Sequence, residues 1–104
     1  MDIIKKKSKI HGYGIFAGKE FKKKELLGNV IEFDYFIFPK IIGDLGNYIN
    51  HCSILYNADL IYNKELNAYQ LVARNNIKKN EEILMDYSQT PYYIQKPKKN
   101  YKIC

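Results

Sequence analysis

Tryptophan is absent from this sequence, and among its 104 residues there are only two cysteines, two histidines and three prolines. Two cysteines, Cys52 and Cys104, are too few for a disulfide framework or a four-cysteine zinc site, and no metal site is expected. No apolar run approaches the roughly 20 residues that a membrane-spanning helix needs. The opening stretch MDIIKKKSKIHG lacks the apolar centre of a secretory signal. These absences lead to the expectation of a soluble intracellular protein, in cytoplasm or nucleus, that is not secreted and has no membrane partner. Sustained helical periodicity is missing as well.

What is present is 46% hydrophobic residues, with ten Tyr and five Phe, and 17 basic against 11 acidic residues for a net charge of +6. A chain with that many aromatics does not belong to the disordered class. At 12.3 kDa it has the size of one domain, expected over residues 1–104. Stretches rich in Ile, Val, Tyr and Phe and bounded by turn chemistry read as strands at Ile3–Ile10, Gly14–Ala17, Leu26–Phe33, Tyr35–Phe38, Ala58–Tyr62, Ala68–Arg74 and Ile83–Tyr87. In Ala68–Arg74 the alternation puts Tyr69, Leu71 and Ala73 on one face. Asn63–Asn67 reads as a hairpin turn, and Lys78–Glu81 as a second in which Asn80 suits a positive φ. One short helix is expected near Lys40–Ile49, weakened by Gly43 and Gly46. Many short strands with close turns make a mainly β domain of several small sheets.

Three constellations carry chemistry. His11–Ala17 contains Gly12-Tyr13-Gly14, a backbone that can turn sharply and approach a ligand closely, or simply form a hairpin or bulge. Tyr48-Ile49-Asn50-His51-Cys52, followed by Tyr56-Asn57-Ala58, offers polar donors and acceptors. His51 and Cys52 are neighbours and would face opposite ways on a strand, which argues against a thiol nucleophile and its base. The plain alternative is a turn with a buried cysteine. Ala73–Tyr87 reads as strand, polar turn, strand, with Tyr87 an ordinary strand tyrosine by residue type alone. The runs Lys5-Lys6-Lys7 and Lys22-Lys23-Lys24 read first as solvated faces.

Taken together and in this order, the three segments resemble the SET domain, the fold of most protein-lysine methyltransferases. The likeness rests on the G-x-G and aliphatic-Phe-Ala strand at His11–Ala17, the [FY]-I-N-H-[SC] motif at Tyr48–Cys52 with Asn57-Ala58 after it, and the A-R-x-x-I-x-x-G-E-E-[IL]-x-x-x-Y pattern at Ala73–Tyr87. It runs from about residue 4 to residue 97. The sequence is similar above all to minimal SET proteins of large DNA viruses, and compact bacterial ones are also similar. Five features depart from the pattern. Cys52-Ser53 reverses the usual order, the loop to Asn57 is one residue longer, Tyr56 replaces a Pro, Asn80 replaces a Gly, and the insert at about 33–47 is very short. The tail at about 88–104 contains the pair Tyr92-Tyr93 and a Lys96-Pro97 step.

The resemblance implies a knot-like C-terminal core, with Ile83–Tyr87 passing under the loop that carries Asn50 and His51. It implies S-adenosylmethionine as cofactor, contacted by Gly12, Tyr13, Gly14, Asn50, His51 and Tyr87. Tyr87 is the implied catalytic residue, and Tyr13, Tyr48 and Tyr92 the implied substrate channel. The reaction is methyl transfer to a lysine side chain, with a histone or histone-like tail as the protein substrate. A lysine amine titrates near about 10.4 in water and must shed its proton before it attacks. By residue chemistry alone Tyr13 and Tyr92 serve equally as core aromatics. Expected partners are a protein with an exposed lysine, DNA through the Lys clusters, and a second copy through Phe33, Phe36, Ile37 and Phe38. Two other functions fit the residues: a catalytically inactive SET-like interaction module, or a basic, tyrosine-rich nucleic-acid-binding domain.

Overall fold

The structure, a computed structural model, describes residues 2–91. In chain order it contains β1 (Ile3–Lys7), β2 (Tyr13–Ala17), β3 (Leu26–Asp34), β4 (Phe38–Ile41), α1 (Gly43–Tyr48), β5 (Asn50–His51), β6 (Ala58–Asn63), β7 (Ala68–Ala73), β8 (Glu82–Met85) and a 3-10 turn at Tyr87–Gln89. The architecture is mainly β. The strands follow one path, β1-β2-β8-β6-β7-β3-β4, with β5 pairing β8 off that path. The expected small sheets are therefore ladders on either side of one shared strand, β8. On one side β8 pairs antiparallel with β2, Ile15 opposite Ile83. On the other it pairs parallel with β5 and β6, with Leu84 opposite Asn50 and Met85 opposite both His51 and Ala58.

β8 is buried because apolar residues face it from both sides. Ile15, Phe21, Leu71, Ile77 and Ile83 are almost wholly buried. Leu71 and Ala73 of β7 point into this core and Tyr69 packs against it, the face that alternation predicted. On the opposite face, between Ala68 and Val72, Gln70 donates to Asn29 Oδ1 at 2.6 Å and accepts from Asn63 Nδ2 at 3.2 Å.

The short helix α1 packs on β3, and Gly46 is what lets it. A Cβ at Gly46 would come 2.7 Å from the Val30 carbonyl oxygen. The glycine that weakens the helix by propensity is thus required by packing. The strand expected at Tyr35–Phe38 is not formed. Tyr35 and Phe36 have φ of 52° and 67°, and the Ile37 N–H donates to the Asp34 carbonyl, so these residues make the turn between β3 and β4. The first expected strand stops at Lys7 and the last at Met85. At Asn80, φ is 73°, as its place in the turn required. Among the described residues no helix is long and apolar enough to cross a membrane.

Candidate functional site

Three segments converge on the N-terminal end of β8. The loop before β2 is shaped by Ser8, whose hydroxyl accepts from the Ile10 N–H at 2.9 Å and contacts both Glu82 carboxylate oxygens at 2.9 Å. The Ser8 N–H donates to the Gly12 carbonyl at 2.8 Å, closing the loop. Gly12 and Gly14 are needed for different reasons. Gly12 has φ of 47° with open space where a Cβ would stand, so conformation selects it. At Gly14 a Cβ would collide with the Glu82 carboxylate and crowd Asn50 and Ser8, so space selects it. The close backbone approach expected at Gly14 is made by the protein's own side chains.

Asn50, 6% exposed, is the centre of this junction. Its amide nitrogen donates toward the His11 carbonyl (3.0 Å), the Tyr13 carbonyl (3.2 Å) and Glu82 Oε2 (3.0 Å). Those bonds fasten β5 to the glycine turn and to β8. Asn57 does the same one step along: Nδ2 donates to the Glu82 carbonyl at 2.9 Å and Oδ1 accepts from the Leu84 N–H at 2.8 Å. The Cys52 and Asn57 N–H groups donate to the Met85 and Leu84 carbonyls. Segment 50–58 thus grips β8 at both of its ends, through Asn57 at Glu82 and Cys52 at Met85.

Tyr87 emerges from that grip. Its backbone N–H donates to His51 Nδ1 at 3.0 Å, and its ring lies 5.1 Å from the imidazole centroid. A nitrogen that accepts carries no proton, so this contact fixes the His51 tautomer. The 3.9 Å approach of Asp86 to Nδ1 becomes an ion pair only if His51 gives up that acceptor role. The Tyr87 hydroxyl donates to the Ile49 carbonyl at 2.6 Å. Its proton is committed to that carbonyl.

Tyr48, at the end of α1, meets Tyr13 edge to face with centroids 6.5 Å apart. Lys5 completes the pair, its ammonium 3.9 Å from the Tyr48 ring centroid and 5.0 Å from that of Tyr13. Tyr13 is 50% exposed, so it is not a core aromatic. The structure therefore joins Gly12, Tyr13, Gly14, Tyr48, Asn50, His51 and Tyr87 through one set of contacts. Tyr92 lies outside the described residues. Sequence reasoning gave no role to Ser8 or Glu82, and placed Lys5 only in a solvated lysine cluster. Glu82 stood inside a quoted motif, whereas Ser8 meets it from 74 positions away and no local pattern marks it.

No protein-family model matches the chain, and no curated protein matches it. Among solved structures it is similar to the crystal structure of a candidate histone methyltransferase from Plasmodium falciparum. The two are 28% identical, with a TM-score of 0.62, over 85% of this chain and 98% of that one. The fold is SET-like. Among the described residues no cluster of three or more His, Cys, Asp or Glu side chains is placed to hold a metal.

Proposed function

We propose that this chain is an S-adenosylmethionine-dependent protein-lysine methyltransferase. The observation that carries the reading is Tyr87, whose hydroxyl is fixed on the Ile49 carbonyl one residue from the Tyr13–Tyr48 ring pair. Methyl transfer from a sulfonium needs an amine held in line more than it needs acid–base catalysis. A hydroxyl whose proton is already donated suits orientation and not proton abstraction, and free tyrosine titrates near about 10 in any case. The likeness to the Plasmodium structure supports the same class of reaction.

The residues present fit the cofactor. The turn at Gly12 is open, and Asn50 ties it to the strand that carries His51, whose ring packs on Tyr87. Asn50 contributes indirectly: its amide hydrogens are spent on the protein, so it sets the direction of the His11 and Tyr13 carbonyls. When bound, S-adenosylmethionine supplies a methyl group already activated on sulfur. The chain's own share is to hold the amine, keep its aliphatic stem among aromatic rings and disfavour the ammonium by desolvation. The partner is a protein with an exposed lysine, of the histone-tail kind, and the compartment is the cytoplasm or nucleus.

The test is thermal unfolding with and without S-adenosylhomocysteine, which needs no knowledge of the substrate. At about 100 times its dissociation constant a ligand adds roughly 2.7 kcal/mol, on the order of 10 °C in Tm for a domain this size. A saturable shift that unrelated nucleotides do not produce is the expected result. No shift at millimolar ligand would mean a SET-like interaction module without catalysis.

A further inference from the structure

Strand β8 ends at Met85, and the chain that follows carries Tyr87 in the 3-10 turn Tyr87–Gln89. That turn is tied within itself. The Ser88 N–H donates to Asp86 Oδ1 at 2.9 Å, the Gln89 N–H to the Asp86 carbonyl at 3.0 Å, and the Thr90 hydroxyl to the Tyr87 carbonyl at 2.6 Å. A turn closed in this way moves as a unit, so what holds its far end also aims its first residue. On one side Tyr87 is held by His51 and by the Ile49 carbonyl. On the other side the Gln89 side chain reaches β6, where its Oε1 accepts from the Leu60 N–H at 3.0 Å and its Nε2 donates to Asp59 Oδ1 at 3.1 Å. β6 pairs with β8 at Ala58, opposite Met85. Two residues further along β6, the Gln89 amide takes the N–H that β8 has left behind. Asp59 is itself braced: Arg74 Nη1 lies 3.3 Å from the same Oδ1, and the Arg74 guanidinium rests 4.3 Å from the Tyr56 ring centroid.

We propose that Gln89 is a positioning residue: its double contact with β6 fixes the turn, and through the turn the direction in which the Tyr87 hydroxyl points. The consequence for turnover rests on the lysine methyltransferase reading, whereas the effect on Tyr87 rests on the hydrogen bonds alone. The residue type is specific. One side chain must accept from a backbone N–H and donate to a carboxylate at once, and a primary amide does both. A glutamate of the same length keeps the acceptor but sets a second carboxylate against Asp59, where like charges repel. Both Gln89 bonds face solvent, so each contributes modestly to folding. Alignment is the property most exposed to their loss, because a reacting group misplaced by about 1 Å costs on the order of 10²-fold in rate.

The experiment compares the full chain with Gln89→Ala, with Gln89→Glu, and with Gln89→Glu combined with Asp59→Asn. Amide hydrogen exchange by NMR reads the Tyr87 N–H, which donates to His51, and the Leu84 N–H, which Asn57 holds. Gln89→Ala should speed Tyr87 exchange about two- to tenfold, the range of one lost hydrogen bond, and leave Leu84 exchange unchanged. Gln89→Glu should behave alike. The double variant restores the pair with donor and acceptor exchanged between the two positions, and should return Tyr87 exchange to the parental rate. With core histones and S-adenosylmethionine, kcat should follow the same order, falling about tenfold in the single variants while KM for the cofactor holds. Unaltered Tyr87 exchange in Gln89→Ala, or a double variant no better than Gln89→Glu, would overturn the proposal. So would a general loss of protection that includes Leu84, which marks a merely structural part. If exchange responds as expected and the parent chain neither methylates nor shifts in Tm with S-adenosylhomocysteine, the hold on Tyr87 stands and the enzyme reading falls. If the parent methylates and kcat ignores Gln89, the positioning role falls alone.

Discussion

Asn57 and Phe36 obey opposite rules. Asn57 is a polar side chain 6% exposed, and Phe36 an aromatic one 83% exposed. Around Asn57 each polar group has a partner, and the described residues include no buried side-chain nitrogen or oxygen without one. Around Phe36 the chain accepts two positive φ values at residues that disfavour them, with Tyr35, Phe36, Ile37 and Phe38 turned outward. The first region is a lock in which removing any member leaves another unsatisfied. The second is a tip that folding alone does not explain. That tip is where pairing with a second copy was expected, and its exposure keeps that pairing as a proposal.

The largest test of the contrast is Asn57→Ala. It strands the Glu82 carbonyl and the Leu84 N–H in a buried strand, at about 1–3 kcal/mol for each unsatisfied group. That loss is a large share of the stability of a domain this size. Urea unfolding should show the midpoint collapse, with the far-UV spectrum of the survivors reporting whether β8 stays in place. A change below about 1 kcal/mol would mean the segment is not locked by Asn57.

Tyr87→Phe is the next largest and separates chemistry from architecture. The ring still packs on His51 and the backbone N–H still donates to it, so folding should lose only about 1 kcal/mol for the missing hydroxyl bond. Turnover of a lysine substrate should fall about 10²- to 10³-fold, the scale of losing one oriented polar group at a reacting centre. Cofactor binding by calorimetry should stay near normal. Methylation at the parental rate would remove the role given to Tyr87.

These two residues also mark how far the sequence was readable. Asn57 and Tyr87 stood in motifs, and the strands around them followed from alternation and turn residues, including the positive φ at Asn80. The aromatic tip was misread because type I′ turns are recognised by Asn and Gly, and here Tyr and Phe hold those angles. The solvated face expected of the three-lysine run is what the structure shows, Lys5, Lys6 and Lys7 being exposed, but the run's composition does not show which ring each lysine meets. Only the pleat of β1, which sends Lys5 and Lys6 to different ring systems, distinguishes them. Ser8 was invisible for a topological reason: its partner Glu82 is brought to it by the β2–β8 pairing and not by anything nearby in the chain.

The tip itself can be relieved. Replacing Tyr35-Phe36 by Asn-Gly puts residues suited to positive φ at both central positions of the turn. Stability should rise by about 1–2 kcal/mol, the strain of left-handed residues that are not glycine. Sedimentation velocity of the same variant then sharpens the comparison. If the tip pairs two copies, the dimer should weaken as the monomer gains stability. A monomeric parent, or a dimer left intact by the change, would dismiss the tip as an interface.

The smallest effect comes from a surface counterpart of the buried lock. The Glu25 carboxyl is held below its ordinary 4.5, first by the Lys19 ammonium that donates to it and then by the Lys22 backbone N–H. A depressed folded value means that Glu25 stabilises the fold above 4.5, and that this contribution is lost as pH falls through the folded value. Lys19 is raised above 10.5 by the same pair, so its share persists below 10.5 and is lost as pH rises through the raised value. Both groups face solvent, and water and salt screen the pair. Glu25→Gln should therefore slightly flatten the stability lost as pH falls from above 4.5 through the depressed folded value, and the difference from the parent chain should shrink in high salt. Asn57→Ala should be salt-independent. A salt-sensitive Asn57 variant beside a salt-insensitive Glu25 variant would invert the assignment of buried lock and solvated pair.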